Sequence, residues 1–398
     1  MKKRIKNTIK NPYWKNFRNK QQFIISLIIF IFNKYSTKFL ANKSLFCNNI
    51  INNRNNTLPR RATAMNLIAD GTQNRGKLVL YGWDNLSTND GPGVRLALYF
   101  KGCSLYCPWC LNPFLQKVMP EIRWKSTNCI YDFECIKECK EKAIRNINNT
   151  IVIDGEKCNF CGACWEVCKR ESLKPAGDYI SIEQIVSLVE YEINLQIPPR
   201  SITLGGGEPL LQGYPMLNLL GMLKTLPINH ILLTSCAAVD NQELWRQALK
   251  STDGVLLQLF TVDKDVWQSV SNVPFEVYLR NLHDLALSEK PIYIRIPIVP
   301  GFTNSPKTIY NLCLFIKESL PYTKQVEFRG YVPNSSFKNP LFSLRDNNIS
   351  SEEIIKLCSL AHEIGLKEAH WRGNLRTLDN APLNYSISEN KMDFKSDI

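Results

Sequence analysis

Ten of the fourteen cysteines crowd between Cys103 and Cys168, and no other feature of the chain restricts its fold as tightly. A stretch that gathers so many thiols must be built from short turns that aim side chains at common points. In a chain of 398 residues, unlike a short secreted scaffold, tight C-x2-C spacings argue for metal clusters in a reducing compartment and against disulfides. The first group lies in Gly102-Cys103-Ser104-Leu105-Tyr106-Cys107-Pro108-Trp109-Cys110, a C-x3-C-x2-C spacing. Thiolates pitched this closely on one loop can hold three corners of an iron–sulfur cube. A cube needs four ligands, so one iron is left for an exogenous one, and an open iron is a place for chemistry. A zinc knuckle or three unrelated buried thiols is the plainer alternative.

The other seven cysteines of the crowd belong to residues 114–178, which read as an inserted module. Cys158-x2-Cys161-x2-Cys164-x3-Cys168 is the run of two-cluster bacterial ferredoxins, in which three cysteines bind one cluster and the fourth binds the other. A partner run should then exist. Upstream lies Cys129-x5-Cys135-x3-Cys139, and on the same grid its second ligand position is Asp132. The expectation is a crossed pair. Cys158, Cys161, Cys164 and Cys139 would hold one [4Fe–4S] cluster, and Cys129, Cys135, Cys168 and Asp132 the other. A carboxylate is a harder ligand than a thiolate, so that iron should be labile. The second cluster is then [3Fe–4S], or [4Fe–4S] with Asp132 or water on one iron. Lys140 and Lys169 stand where ferredoxins usually place proline. The plainer readings are a solvated loop acid for Asp132 and zinc for the Cys158 run. The remaining cysteines, Cys47, Cys236, Cys313 and Cys358, read as ordinary buried or free thiols.

Outside the module the chain alternates. Strands are expected at 95–100, 201–204, 230–234, 254–260, 292–298, 326–331 and 368–371. Helices are expected at 182–193, 215–226, 242–250, 275–288, 306–320 and 352–364. The strands are short, continuous apolar runs, as in a parallel sheet buried on both faces, and the helices carry apolar residues at three- and four-residue spacing. The fold class is α/β, a partial (β/α) barrel interrupted by the ferredoxin-like module. In domain terms, residues 1–64 are an N-terminal extension, 65–113 the start of the core, 114–178 the insert, 179–375 the rest of the barrel and 376–398 a tail. Function in such folds collects at the C-terminal ends of strands. The Cys103 loop, the Gly205-Gly206-Gly207-Glu208-Pro209 loop and the Pro300-Gly301 turn all fall there.

Charge excludes a nucleic-acid footprint on the core. The net charge is +13, but residues 1–64 hold 9 Lys and 5 Arg with no acid, leaving 35 basic against 36 acidic residues beyond. The working domain is close to neutral. The extension contains one apolar run, residues 23–32, too short to span a bilayer. It reads as a transit peptide, a signal or interfacial anchor, or non-native coding upstream of Met65. Cluster chemistry favours the cytoplasm, or a mitochondrial or other organelle matrix if the extension is a transit peptide.

Asp90-Gly-Pro-Gly-Val-Arg95, the Cys103/Cys107/Cys110 loop with Asn112-Pro113, and Gly206-Gly207-Glu208-Pro209 together resemble the radical S-adenosylmethionine (radical SAM) enzymes. Within them the chain is similar to the activases of glycyl radical enzymes, of which the pyruvate formate-lyase activase is the familiar member. The insert points to the subgroup with two auxiliary clusters. Arg295 with Pro300-Gly301-Phe-Thr-Asn304 resembles the family's late-barrel stretch. The resemblance covers roughly residues 78–375. It implies an anaerobic oxidoreductase in which Cys103, Cys107 and Cys110 hold a [4Fe–4S] cluster whose open iron takes S-adenosylmethionine. Reductive cleavage would give a 5′-deoxyadenosyl radical that abstracts hydrogen from a glycine of a partner enzyme. A flavodoxin or ferredoxin-type reductant is implied. Cofactor contacts are implied for Trp109 (against the adenine), Cys110, Leu111, Gly206, Gly207 (leaving room for the methionine end), Glu208 (on the amino group) and Arg295.

Four polar positions of the family, in three motifs, are replaced. Its D-x-K falls on Gln258 and Phe260, the Asp before its T-[NC]-G turn on Leu233, and its late His on Val332. The set has changed together, towards apolar groups, as in a rebuilt pocket wall. Two other functions stay open on that ground: a divergent radical SAM enzyme acting on a peptide or small molecule, and a non-catalytic electron-transfer protein.

Overall fold

The structure, a computed structural model, describes residues 76–195, 200–331 and 349–374. The basic extension, its apolar run, Cys47, Val332 and the C-terminal tail lie outside the described residues. Among the described residues no helix is long and apolar enough to cross a membrane.

Nine strands form one sheet. Seven run parallel in chain order: β2 (Arg95–Phe100), β8 (Ser201–Gly206), β9 (His230–Ser235), β10 (Gly254–Gln258), β11 (Ile292–Ile298), β12 (Thr323–Gly330) and β13 (Ala369–Asn374). Each step from β8 onward crosses over through helix: α4 (Tyr214–Leu223), α5 (Gln242–Ser251), α6 (Lys264–Val270) with α7 (Phe275–Leu287), α8 (Pro306–Ser319) and α9 (Ser351–Ile364). This open run of β/α units is the expected partial barrel. Two antiparallel strands extend it past β2: β1 (Lys77–Ser87), then β7 (Asp178–Ser181), which feeds α3 (Ile182–Asn194). Neither strand is signalled by the β/α alternation.

Local chemistry sets the helix ends. Ser181 with Gln184 and Ser350 with Glu353 form capping boxes on α3 and α9, and Gly365 closes α9 in a left-handed turn. Asp263 caps α6 by accepting from the backbone of Asp265 and Val266. Leu96, Leu98, Ile202, Leu204, Leu232, Leu233, Val255 and Leu257 are wholly buried, so apolar side chains dominate the central strands. Strand β11 alternates instead. Ile292, Ile294, Ile296 and Ile298 are buried, while Tyr293, Arg295 and Pro297 are only half-buried on the other face. That face is polar because it lines the inside of the open barrel, where no helix packs.

The insert has its own small frame. Strands β3 (Glu121–Trp124) and β6 (Leu173–Ala176) pair at its base, and β4 (Ile144–Ile147) pairs with β5 (Thr150–Ile153). Two single-turn helices, α1 (Glu134–Lys137) and α2 (Ala163–Glu166), complete it. Its core is Ile122, Ile144, Ile151, Cys164 and Leu173, with Cys129, Cys135, Cys139, Cys158 and Cys168 packed against them. Lys101, fully buried at the end of β2, reaches into the base to pair with Glu121 at 3.1 Å.

Candidate active site

Strand β2 delivers the chain directly into the Cys103 loop, and four segments hold that loop. The Gly102 and Cys103 amides donate to Leu115 O and Gln116 O at 2.8 and 2.9 Å. The Tyr106 amide donates to Val270 O at the end of α6, at 2.9 Å. Ser104 Oγ donates to Ala238 O beyond β9. The Glu208 amide, beyond β8, donates to Gly102 O at 2.6 Å. The three thiols are half-buried, and no disulfide forms among the described cysteines. Burial raises the Cys107 and Cys110 thiols above their ordinary range, and Cys103 and Cys110 push Cys107 further up.

The next two strand ends complete the site. Glu208 is fully buried, and burial raises its carboxyl to about 7 against the partial counterweight of its hydrogen bonds. Its Oε2 accepts from Ser235 Oγ at 2.7 Å and from the Cys236 amide at 3.0 Å. Its Oε1 is buried with no partner among the described residues. A buried carboxylate oxygen held without a donor is costly unless a ligand supplies one. Cys236, at the end of β9, is not the ordinary scattered thiol expected from sequence. Its thiol lies in the field of Cys103, Cys107, Cys110 and Glu208, which together with burial raise it well above the usual range.

Gly206 and Gly207 have a local reason to be glycine. A Cβ on Gly206 would meet Phe100 O at 2.2 Å, and one on Gly207 would meet Gly102 O at 2.1 Å. Strand β8 passes so close to the start of the Cys103 loop that only hydrogen fits. The missing Gly207 side chain thus makes room for backbone, where the resemblance led us to expect room for a cofactor.

The wall facing the loop is aromatic. Trp109 is almost fully buried, its ring 5.7 Å from Phe260 edge-on and 4.7 Å from Phe302. Phe260 stacks on Trp267, and Trp267 on Tyr278. Phe260 therefore replaces a charge with the first ring of a packed series. Leu111 is buried beside this loop. Leu233 sits in an apolar rung between Leu204 and Val255, and Gln258 pairs in register with Arg295. Arg295 is engaged: it donates to Glu327 Oε2 and to Asn89 O. Glu327 also receives Arg329 and Arg372. Burial opposes its ionisation, but the three guanidiniums outweigh burial and hold its carboxyl below the usual range. Sequence reasoning did not single out Glu327, Arg329 or Arg372.

Asp90 and Arg95 stand at the other end of the sheet. Arg95 opens β2, is almost fully buried, and donates to Thr203 Oγ1 at 2.7 Å and Ile202 O at 2.6 Å. Asp90 Oδ2 accepts from Tyr99 Oη at 2.7 Å. The D-G-P-G-x-R motif is thus a clamp on the N-terminal edges of β2, β8 and β9, a place that favours stability over chemistry.

The insert repeats itself. Cys129, Asp132, Cys135 and Cys139 each precede Cys158, Cys161, Cys164 and Cys168 by 29 residues. The backbone repeats too: Tyr131 and Phe160 have φ of 57° and 58°, Phe133 and Gly162 59° and 93°, Lys142 and Glu171 50° and 49°. The Ala143 and Ser172 amides each donate to a thiol, Cys139 and Cys168, at 3.2 Å. Asp132 occupies the place of Cys161. Cys129, Asp132, Cys135 and Cys168 line one recess with Trp124, whose buried indole N–H has no partner among the described residues. Cys164 senses Cys158, Cys135 and Cys139 in turn. Asp132 also lies 3.9 Å from Lys169 Nζ. Among the described residues no three donors close on one point as a single metal ion requires. Cluster thiolates bind separate irons and are spread wider.

The sequence profile of the Radical SAM superfamily matches residues 155–313, beginning beyond the Cys103 loop. The chain is 30% identical over 263 residues to the isethionate sulfite-lyase activating enzyme of Desulfovibrio desulfuricans, covering 61% of this chain and 84% of that one. The chain belongs to the radical SAM activating enzymes. It is also 28% identical over 266 residues to the indoleacetate decarboxylase activating enzyme of Tractidigestivibacter scatoligenes, covering 62% and 84%. The 4-hydroxyphenylacetate decarboxylase activating enzyme of Clostridioides difficile strain CD196 is 27% identical over 250 residues, covering 61% and 78%. Radical SAM activating enzymes use a [4Fe–4S] cluster and S-adenosylmethionine. The residues present fit that pair: three thiols on one pinned loop, and beside them a buried carboxylate oxygen awaiting a donor.

Proposed function

We propose that this chain activates a glycyl radical enzyme, with Cys103, Cys107 and Cys110 holding the open cluster. The observation that carries the proposal is that Glu208, whose buried Oε1 is unpartnered, is tied through its backbone amide to Gly102 at the start of the Cys103 loop. When bound, the cluster and S-adenosylmethionine supply a 5′-deoxyadenosyl radical that takes a hydrogen atom from a glycine of the partner. Glu208 receives the amino group of S-adenosylmethionine on Oε1. Gly206 and Gly207 bring that carboxylate up to the loop. Trp109, Cys110 and Leu111, backed by Phe260, form a dry wall that keeps water from the reacting atoms. Arg295 acts from the inner face, steadied by Glu327.

In the insert, residues 114–178, Cys158, Cys161, Cys164 and Cys139 hold a [4Fe–4S] cluster. Cys129, Asp132, Cys135 and Cys168 hold a second with a labile iron. The backbone repeat supports the assignment of Asp132, since it puts this acid where the other half has a ligand cysteine. These clusters relay electrons from a flavodoxin or ferredoxin-type reductant in the cytoplasm. Exposed Ile130, Tyr131 and Ile147 suit a docking face on the module.

The test is to reconstitute the protein anaerobically, reduce it with dithionite and add S-adenosylmethionine. We expect 5′-deoxyadenosine, abolished in the Cys103/Cys107/Cys110→Ala triple variant, and a glycyl doublet in electron paramagnetic resonance once the partner is present. No 5′-deoxyadenosine above the triple variant would refute the proposal. Product with no doublet on any candidate partner would instead favour a peptide or small-molecule substrate.

A further inference from the structure

We propose that Trp124 donates its indole N–H to a sulfur of the insert cluster held by Cys129, Asp132, Cys135 and Cys168, raising the reduction potential of that cluster and drawing electrons to the barrel side of the module. This rests on the insert holding two iron–sulfur clusters.

Three observations lead there. First, Trp124 Nε1 is buried with no partner among the described residues. A buried donor left without an acceptor is rare and costly, and a bound group that supplies one removes the cost. Second, the acceptor on offer is sulfur. Trp124 lines one recess with Cys129, Asp132, Cys135 and Cys168. The Ser172 amide already donates to Cys168 Sγ there, at 3.2 Å. Third, the other half of the module lacks this donor. The 29-residue repeat carries β3 onto β5 and β4 onto β6. The rung Trp124–Leu173 is then equivalent to the rung Ile153–Ile144. Ile153 stands at the place of Trp124 and packs on the same core. An apolar side chain meets the packing need there, and the indole adds a proton donor on one side only.

Hydrogen bonds to cluster sulfurs are among the groups that set an iron–sulfur potential. A donor there stabilises the added electron. The position gives the effect a direction. Strand β3 follows the Cys103 loop, β6 leads into β7 of the main sheet, and Glu121 of β3 pairs with buried Lys101 at the end of β2. The Trp124 recess thus lies against the strands that join the module to the barrel. One electron leaves the reduced flavodoxin or ferredoxin-type donor, passes the cluster on the Cys158 side and reduces the one beside Trp124. No bond to Trp124 breaks, and its proton stays on nitrogen.

The test uses the reconstituted full chain carrying Cys103/Cys107/Cys110→Ala, so that only insert clusters give signals in electron paramagnetic resonance. The cluster in question is the one whose signal is lost with Cys135→Ala. In a potentiometric titration, Trp124→Phe should hold several-fold less of it reduced at a fixed potential, with the other cluster unmoved and iron content unchanged. Trp165→Phe, which removes the only other tryptophan of residues 114–178, should leave both titrations in place. A second measurement keeps Trp124. In Trp165→Phe protein labelled with nitrogen-15 at the indole, the spin of that cluster should show an isotropic nitrogen-15 coupling, which packing without a hydrogen bond would not give. Absence of this coupling, or an unmoved titration in Trp124→Phe at full iron content, would overturn the proposal and leave the clusters in place. No iron in the insert of the triple variant would overturn the cluster reading itself.

Discussion

Replacing Gly207 by alanine tests whether this position serves the backbone or the cofactor. The new Cβ would lie 2.1 Å from Gly102 O, 2.8 Å from Gly102 C and 2.9 Å from Leu115 O, where ordinary contact begins at 3.4 Å. All three obstacles are backbone, so no rotamer relieves them. Strand β8 and the Cys103 loop must part by about 1 Å, which strains Gly207 N–H to Phe100 O at 3.1 Å and Glu208 N–H to Gly102 O at 2.6 Å. Overpacking costs about 1–3 kcal/mol, and each weakened hydrogen bond adds about 1 kcal/mol. The expected loss is roughly 3–5 kcal/mol. Gly221 is the control. It lies exposed within α4 with nothing inside 4 Å of a new Cβ, so Gly221→Ala should gain up to about 1 kcal/mol through helix propensity. The assay is the urea midpoint under anaerobic conditions with S-adenosylmethionine withheld. A Gly207→Ala protein as stable as the wild type, but weaker in binding S-adenosylmethionine, would refute the backbone argument and return the glycine to the cofactor.

Glu208 sets a pH dependence. Its carboxyl is raised from 4.5 to about 7, so the folded chain binds a proton that the unfolded chain has lost between those values. Its contribution is complete below pH 4.5 and falls by about 3 kcal/mol as pH rises through 7. Without cofactor, Glu208→Gln should flatten that slope in urea unfolding at pH 5 and pH 8. Arg95→Met should cost about 3 kcal/mol, since it leaves Ile202 O and Thr203 Oγ1 buried without their donor. Because Arg95 lies at the opposite end of β2 from the cysteine loop, iron content per folded molecule should not change. Asp132→Cys should raise iron content and convert any [3Fe–4S] signal of the insert to [4Fe–4S]; unchanged iron and spectra would remove Asp132 from the ligand set. Lys101→Met should loosen the insert, leaving Glu121 without its buried partner, and limited proteolysis between residues 114 and 178 should then accelerate.

The barrel was legible because its signal is redundant. β2 and β11 occupy the expected 95–100 and 292–298, where apolar runs are bounded by turns and polar residues. β1 and β7 were not, since an antiparallel edge pair has no helix to mark its rhythm. The helix α6 escaped because it has only seven residues, although Asp263 is a recognisable cap. Among site residues, the thiol runs declare themselves by spacing. Glu208 came through the resemblance. Cys236 did not come at all: it is far in sequence from the other thiols, and only the adjacency of β2, β8 and β9 brings it to them. Glu327 was invisible for the same reason, its meaning lying in arginines contributed by β11, β12 and β13.

The inner face has an apolar, aromatic side and a charged side. Leu233 on β9, Gln258 on β10 and Phe260 just beyond it carry no charge, and aromatic packing runs from Phe260 through Trp267 to Tyr278. Arg295, Arg329 and Arg372 surround one buried acid, Glu327, so this cluster carries an excess of positive charge. Arg295 and Arg372 also donate to Asn89 O and Thr88 O, tying that charge to the loop between β1 and β2. A buried acid surrounded by cations is costly to disturb, because removing it strands three guanidiniums in a poorly hydrated space. Glu327→Gln should accordingly destabilise the fold by about 3 kcal/mol or more, and Glu327→Gln with Arg329→Met should recover part of that loss. Recovery in the double variant, read as non-additive urea midpoints, would identify the cluster as a coupled unit. Simple additivity would mean that each arginine is held by its own backbone partner and that the inner wall is not electrostatically organised.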